Sequence, residues 1–231
     1  LSGGSGKRLW PLSNDIRSKQ FLKLLKNEEG ESESMVQRVY RQIRDTGIEA
    51  DLVIATGKNQ EDSILSHLGD LIDIVLEPER RDTFPAIALA SSYVFFEKNM
   101  DRDEAIVVLP VDPYAEIEYF ETIKSLQKLV ESDKAKIGLM GIKPTYPSAK
   151  YGYILTENGT GAVKGFQEKP SETLAEELIA DGAMWNGGVF AFKAGYIMDI
   201  LASYISFESF EDVREQYSVL PKISFDYEVI E

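Results

Sequence analysis

From Ser34 to Ile142 the chain alternates short apolar runs with helical stretches, and this alternation limits its folds more than any other feature. Met35, Val36, Val39, Tyr40 and Ile43 recur at helical spacing between Ser34 and Thr46, and Gly47 closes the stretch. Asp51–Thr56 reads as a strand, Lys58–Leu68 as a helix and Ile72–Leu76 as a strand. The apolar stretch Ala86–Phe96 reads as a helix, capped by Asp82 or Thr83 with Pro85 in its first turn. In Asp103–Asp112 five apolar residues precede a Pro, the pattern of a central buried strand. A helix over Ile117–Val130 and a strand over Ile137–Ile142 follow. Such a series implies an α/β domain with right-handed crossovers and a largely parallel open sheet. Ligands of these sheets sit outside the carboxyl ends of the strands.

Three polar features fall at such ends. The first is the glycine run Ser2-Gly3-Gly4-Ser5-Gly6, with Arg8 and Lys19 behind it. Backbone with almost no side chain can turn tightly and bring its N–H groups to phosphate oxygens. Arg8 offers a planar fork and Lys19 a movable point charge. The run is neither a Walker loop nor the Gly-x-Gly-x-x-Gly fingerprint, and taken alone it also reads as a flexible turn with two surface cations. The second feature is Glu77, which ends the strand Ile72–Leu76. A carboxylate there can accept from both guanine N1–H and the 2-amino group, a pair of donors that adenine and uracil lack. The third is Asp112, whose poor solvation suits a hard cation, although Asp-Pro is also a turn former. His67, the only histidine, has no partner triad and receives no role.

The second half changes texture. Lys150–Ile154 and Val163–Pro170 read as strands, and Ser171 caps a helix to about Ala180 with Glu172 and Glu176 near its positive end. Met184–Phe192 places Asn186 before two glycines. Bare backbone at Gly152, the acid Glu168 and the amide Asn186 supply the mixed donors and acceptors that sugar hydroxyls need. The plainer reading is a hairpin region with turn glycines and a Glu168–Lys169 surface pair. Ala194–Tyr204 and Phe207–Tyr217 read as helices, and Asp226 as an N-cap.

At 231 residues the chain can bury the core of one large domain. Its 25 basic and 39 acidic residues leave a net charge of -14, whose field repels nucleic acid and anionic membranes. A nucleotide site must therefore be locally cationic and calls for a divalent metal. The absence of Cys excludes disulfides, thiolate zinc sites and cysteine nucleophiles, and it fits a reducing cytoplasm. No apolar run approaches a membrane span, and no signal peptide is visible. A glycine loop normally follows a buried strand, and the sequence stops inside what reads as a helix, so a longer natural protein is expected at both ends.

The motifs together are more specific. Gly-Gly-x-Gly-x-Arg-Leu-x-Pro-Leu-Ser followed by Lys19-Gln20-Phe21 resembles the signature of the sugar-phosphate nucleotidyltransferases, most nearly the mannose-1-phosphate guanylyltransferases. Glu77-Pro78 with Arg81-Asp82-Thr83-Phe84-Pro85, Leu109-Pro110-Val111-Asp112, Tyr151-Gly152-Tyr153-Ile154, Glu168-Lys169-Pro170, Trp185-Asn186-Gly187-Gly188 and Phe225-Asp226-Tyr227 resemble further family segments, in order. The resemblance implies a single Rossmann-like three-layer catalytic domain, nucleotide-binding over 1–142 and sugar-phosphate-binding over 143–231 in a smaller region of mixed strands. It implies transfer of GMP from GTP to mannose 1-phosphate, with Mg²⁺ held by Asp112 and Asp226 and with Arg8 and Lys19 on the phosphates. Ser2, Gly3, Gly4, Gly6, Glu77, Arg81, Thr83 and Pro85 would line the nucleotide, Gly152, Glu168 and Asn186 the hexose, and Lys169 its phosphate. The chain departs from the family at Ser18 (often Pro), at Asp82 (usually Asn) and at Pro113-Tyr114 (usually His). The same chemistry on another triphosphate or hexose 1-phosphate, and a non-catalytic nucleotide-sugar sensor, are the alternatives. A homodimer is compatible with the sequence.

Overall fold

The computed structural model describes residues 18–157 and 161–230. The glycine run and Arg8 lie outside these residues. A short antiparallel hairpin joins β1 (Leu25–Lys26) to β2 (Ser32–Glu33). Ser34 then starts α1 (Met35–Asp45) with a reciprocal capping box, its own N–H donating to the Gln37 side chain at 3.1 Å. β3 (Val53–Gly57), α2 (Glu61–Leu68) and β4 (Asp73–Glu77) form the expected βαβ unit. Its strands are parallel, and Gly57 stands opposite Glu77 at their carboxyl ends.

After α3 (Thr83–Glu97) come β5 (Ala105–Val108), α4 (Ile117–Glu131) and β6 (Ile137–Ile142). The remainder is β7 (Tyr153–Thr156), β8 (Val163–Gln167), α5 (Glu172–Ala180), β9 (Met184–Lys193), α6 (Ala194–Ala202) and α7 (Phe210–Glu215). The long β9 lies between β5 and β6 and runs antiparallel to both, so those two strands are parallel to each other without touching. Its first residues also pair with β7, which carries β8 at the edge. Among the described residues β3 pairs only with β4, and β5 only with β9. An apolar cavity of about 410 Å³, lined by residues such as Ile54, Val94 and Val107, lies between these two sheets.

Alternation along β9 explains the layers. Phe190 and Phe192 enter one core with Phe84, Ile87, Leu89, Ile197, Leu201 and Val213 from α3, α6 and α7. Val189 and Ala191 point to the other face and meet Val39 and Ile43 of α1 and Phe120, Ile123 and Leu126 of α4. Helices thus cover both faces, the three-layer α/β arrangement expected. None among the described residues is long and apolar enough to cross a membrane. The helix read over Phe207–Tyr217 is shorter, because the Ser209 hydroxyl caps α7 and a 3₁₀ turn takes over at Tyr217–Val219.

Phe225 fastens the end of the chain to this core. Its ring is fully buried and lies 4.9 Å from Phe190 and 5.5 Å from Phe192. Phe225→Ala is expected to lower stability by about 3–5 kcal/mol. A denaturation midpoint unchanged from the parent would contradict this packing.

Candidate active site

Three side-chain groups lie at or beside strand ends. The first joins Lys19 to Asp112. Lys19 opens a 3₁₀ turn whose next residues, Gln20 and Phe21, are buried. Phe21 and Val111 share one apolar cluster, and their packing brings the neighbouring Lys19 and Asp112 together as an ion pair. His67 serves this scaffold, with its ring nitrogens at 2.7 Å from the Ser63 carbonyl and 3.1 Å from the Phe21 carbonyl. Beside the pair stands Tyr119, on the first turn of α4. Its hydroxyl is buried without a hydrogen-bond partner among the described residues, and burial, reinforced by the charge of Asp112, pushes its pKa upward. Sequence patterning gave no signal for Tyr119, since an aromatic there also reads as helix packing.

The second group surrounds Glu77 at the end of β4. Glu77 accepts from the Tyr217 hydroxyl at 3.1 Å. Burial raises the Glu77 pKa, while the Tyr217 hydrogen bond and Arg80 oppose the rise. Arg81 is anchored to the segment that follows α7. Its guanidinium donates to the carbonyls of Ser218 at 2.5 Å and Leu220 at 3.0 Å, and it pairs with Glu79. The Thr83 hydroxyl likewise accepts from the Phe225 N–H at 2.8 Å, and the Phe84 N–H donates to the Ile223 carbonyl at 3.2 Å. Pro85 is buried in the first turn of α3. Arg81 and Thr83 therefore fasten the segment 217–225 to the start of α3. Between them Asp82 caps α3 from φ 72° and ψ -170°, a region nearly reserved for glycine, where a non-glycine residue carries about 1–3 kcal/mol of strain.

The third group brings together the sugar-reading residues and the second acid. The Asn186 N–H donates to the Gly152 carbonyl at 2.8 Å, and its side-chain oxygen accepts from the Gly188 N–H at 3.0 Å. Its amide nitrogen donates to Asp226. Gly187 must lack a side chain, because a Cβ there would lie 2.9 Å from the Met140 carbonyl oxygen. Lys169, at φ 40°, pairs with Glu168. Asp226 begins a π-helical turn over Asp226–Ile230 rather than capping an ordinary helix. Burial raises the Asp226 pKa and the charge of Glu168 adds to the rise, against the Asn186 hydrogen bond and Lys169.

The donor set can be tested against the expected magnesium. Among the described residues no group of three or more acidic or imidazole side chains converges on one point. Magnesium does not require such a cage, because one or two carboxylates with substrate phosphates and water complete its shell. Asp112 and Asp226 fit that pattern. Asp226 fits it further as a half-buried acid with a second acid nearby, a charge arrangement that a divalent cation relieves.

An aspartate paired with a lysine, a strand-end glutamate and an amide–acid pair beside bare backbone are carried on a three-layer α/β frame. The nucleotidyl transferase family model matches residues 1–218, and the chain belongs to that family, a family of enzymes. Among curated relatives, it is 33% identical over 262 residues to the mannose-1-phosphate guanylyltransferase of Sinorhizobium fredii, covering 100% of this chain and 49% of the relative. It is also 33% identical over 216 residues to the alginate biosynthesis protein AlgA of Pseudomonas aeruginosa, covering 88% of this chain and 43% of the relative. The chain thus spans about half the length of these curated relatives. The solved structure of a mannose-1-phosphate geranyltransferase from Thermus thermophilus superposes with a TM-score of 0.79 at 32% identity, covering 100% of this chain and 69% of that one.

Proposed function

We propose that this chain transfers GMP from GTP to mannose 1-phosphate, yielding GDP-mannose and pyrophosphate. The observation that supports the reading is that a Lys19–Asp112 pair and an Asn186–Asp226 pair both form on a nucleotidyl transferase frame whose curated relatives include a mannose-1-phosphate guanylyltransferase. A phosphate oxygen of the sugar attacks the α-phosphorus of the triphosphate. The bond from that phosphorus to the bridging oxygen breaks in line, and pyrophosphate leaves. No covalent protein intermediate is required, so the protein's work is alignment and charge stabilisation. Arg8 and Lys19 hold the triphosphate and the departing pyrophosphate, and Lys169 orients the attacking phosphate. Glu77 accepts from guanine, and Gly152, Glu168 and Asn186 receive the hexose. Asp112 and Asp226 would hold a magnesium ion, which would supply neutralising charge at the reacting phosphates.

The test is pyrophosphate release by the full-length protein with Mg²⁺ across a grid of triphosphates and hexose 1-phosphates. One dominant signal at GTP with mannose 1-phosphate supports the reading. A dominant signal elsewhere retains the chemistry and changes the pair. No signal anywhere, with tight binding of GDP-mannose, would replace the enzyme by a nucleotide-sugar sensor.

A further inference from the structure

We infer that Tyr217 is a positioning residue for base selection, acting by pinning the Glu77 carboxylate through a hydrogen bond from its hydroxyl. The inference rests on the reading of Glu77 as the acceptor for guanine.

A glutamate at a strand end has three rotatable bonds, and fixing them on binding opposes the gain from two new hydrogen bonds. Glu77 is already fixed. Its Oε2 accepts from the Tyr217 hydroxyl at 3.1 Å, and among the described residues Oε1 carries no hydrogen bond. The peg itself is rigid. The Tyr217 ring is completely buried in the largest core cluster, against residues that include Val75 and Phe84. The turn it belongs to is held from the side of Glu77 as well, since Arg81 donates to the carbonyls on both sides of Val219, at Ser218 and Leu220. Burial and the charge of Glu77 push the phenol pKa upward, so Tyr217 stays protonated and acts as a donor. A donor on one oxygen favours the anionic form of the carboxylate against the effect of burial and leaves Oε1 to accept from a base, the state in which it discriminates guanine from adenine.

The plainer account is that a buried tyrosine has taken the nearest acceptor for its own hydroxyl. Base selectivity separates the two, because a purely structural bond lowers stability without changing which triphosphate is preferred. The ratio of kcat/KM for GTP to that for ATP is measured in the full-length protein for the parent, Tyr217→Phe, Glu77→Gln and the double variant, with mannose 1-phosphate and Mg²⁺. Thermal unfolding is followed in parallel. Tyr217→Phe is expected to lower the ratio about tenfold, the effect of one hydrogen bond to a charged group. On the Glu77→Gln background the same change is expected to alter the ratio less than about twofold, since the two residues act as one unit.

An unchanged ratio in Tyr217→Phe, with a collapsed ratio in Glu77→Gln, overturns the inference and leaves the guanine reading standing. An unchanged ratio in Glu77→Gln removes the guanine reading itself. If Tyr217→Phe does not fold, the double variant, which leaves no buried charge unpaired, is compared with Glu77→Gln alone. A further tenfold loss there overturns action through Glu77, and the ratio of Tyr217→Phe itself is then read in the cold with trimethylamine N-oxide, which favours the folded state, where a tenfold fall supports the inference and a parental ratio overturns it.

Discussion

Asp112→Ala is expected to slow pyrophosphate release by about a hundredfold or more, the magnitude seen when one preorganised electrostatic group is removed from a reacting centre. The change deletes one of two proposed cation ligands and leaves Lys19 without its partner. Stability is expected to stay within about 1 kcal/mol of the parent, because both side chains are more than a third exposed, at 37% and 35%, and such pairs contribute little. The separation of the two readouts is the informative part. A slow enzyme with an unchanged melt places Asp112 in the chemistry, whereas turnover near the parent level removes it. Asp112→Asn keeps the size and one acceptor while losing the charge, and is expected to fall nearly as far.

Gly152→Ala carries the second large effect. A Cβ at this position would stand 2.6 Å from Cζ of Phe166 and 2.7 Å from Oε2 of Glu168. Neither separation is tolerable, so both the Phe166 ring and the Glu168 carboxylate must move. Overpacking of this kind costs about 1–3 kcal/mol where the neighbours are held. The proposed site gives a more specific expectation. KM for mannose 1-phosphate is expected to rise about tenfold or more, following the loss of a well-placed hydrogen bond to a sugar hydroxyl, while KM for GTP stays near the parent value. Equal changes in both would mean that the disturbance spreads beyond the sugar-binding residues, and no change in either would remove Gly152 from the site.

Much of this frame is readable from residue order. The repeats of Val36, Val39 and Ile43, the Ser34 cap and the strand ending in Glu77 all form as the spacing predicts, because each is decided by neighbours within a few residues. The identity of the clustered acids and amides is legible for the same reason, since Asn186 before two glycines is a local pattern. What the sequence hides is long-range. Nothing near Met184–Phe192 announces that β9 will separate β5 from β6, and its glycine pair reads as a hairpin turn instead of a register shift opposite Leu139 and Gly141. The bond from Tyr217 to Glu77 spans 140 residues and has no local signature. The bonds from Arg81 to the carbonyls of Ser218 and Leu220 likewise reach across more than 130 residues, and nothing near Arg81 announces them. Asp226 reads as an N-cap, and its bond from Asn186 forms next to Phe225, whose ring packs on Phe190 of the same strand β9.

The pairing of Lys19 with Asp112 has a consequence for the order in which ligands arrive. In the proposed site each partner has a different destination, the lysine a phosphate and the aspartate a cation. Whichever ligand comes first must open the pair, and in doing so it releases the other charge for the second. The cation and the triphosphate then favour each other's entry without any larger movement of the chain. For a partly exposed pair the coupling amounts to about 0.2–1 kcal/mol, at most roughly a fivefold gain for the later ligand. The empty protein meanwhile presents this spot to solvent as a neutral one, so a lone divalent ion or a free phosphate finds less to hold it than the two arriving together.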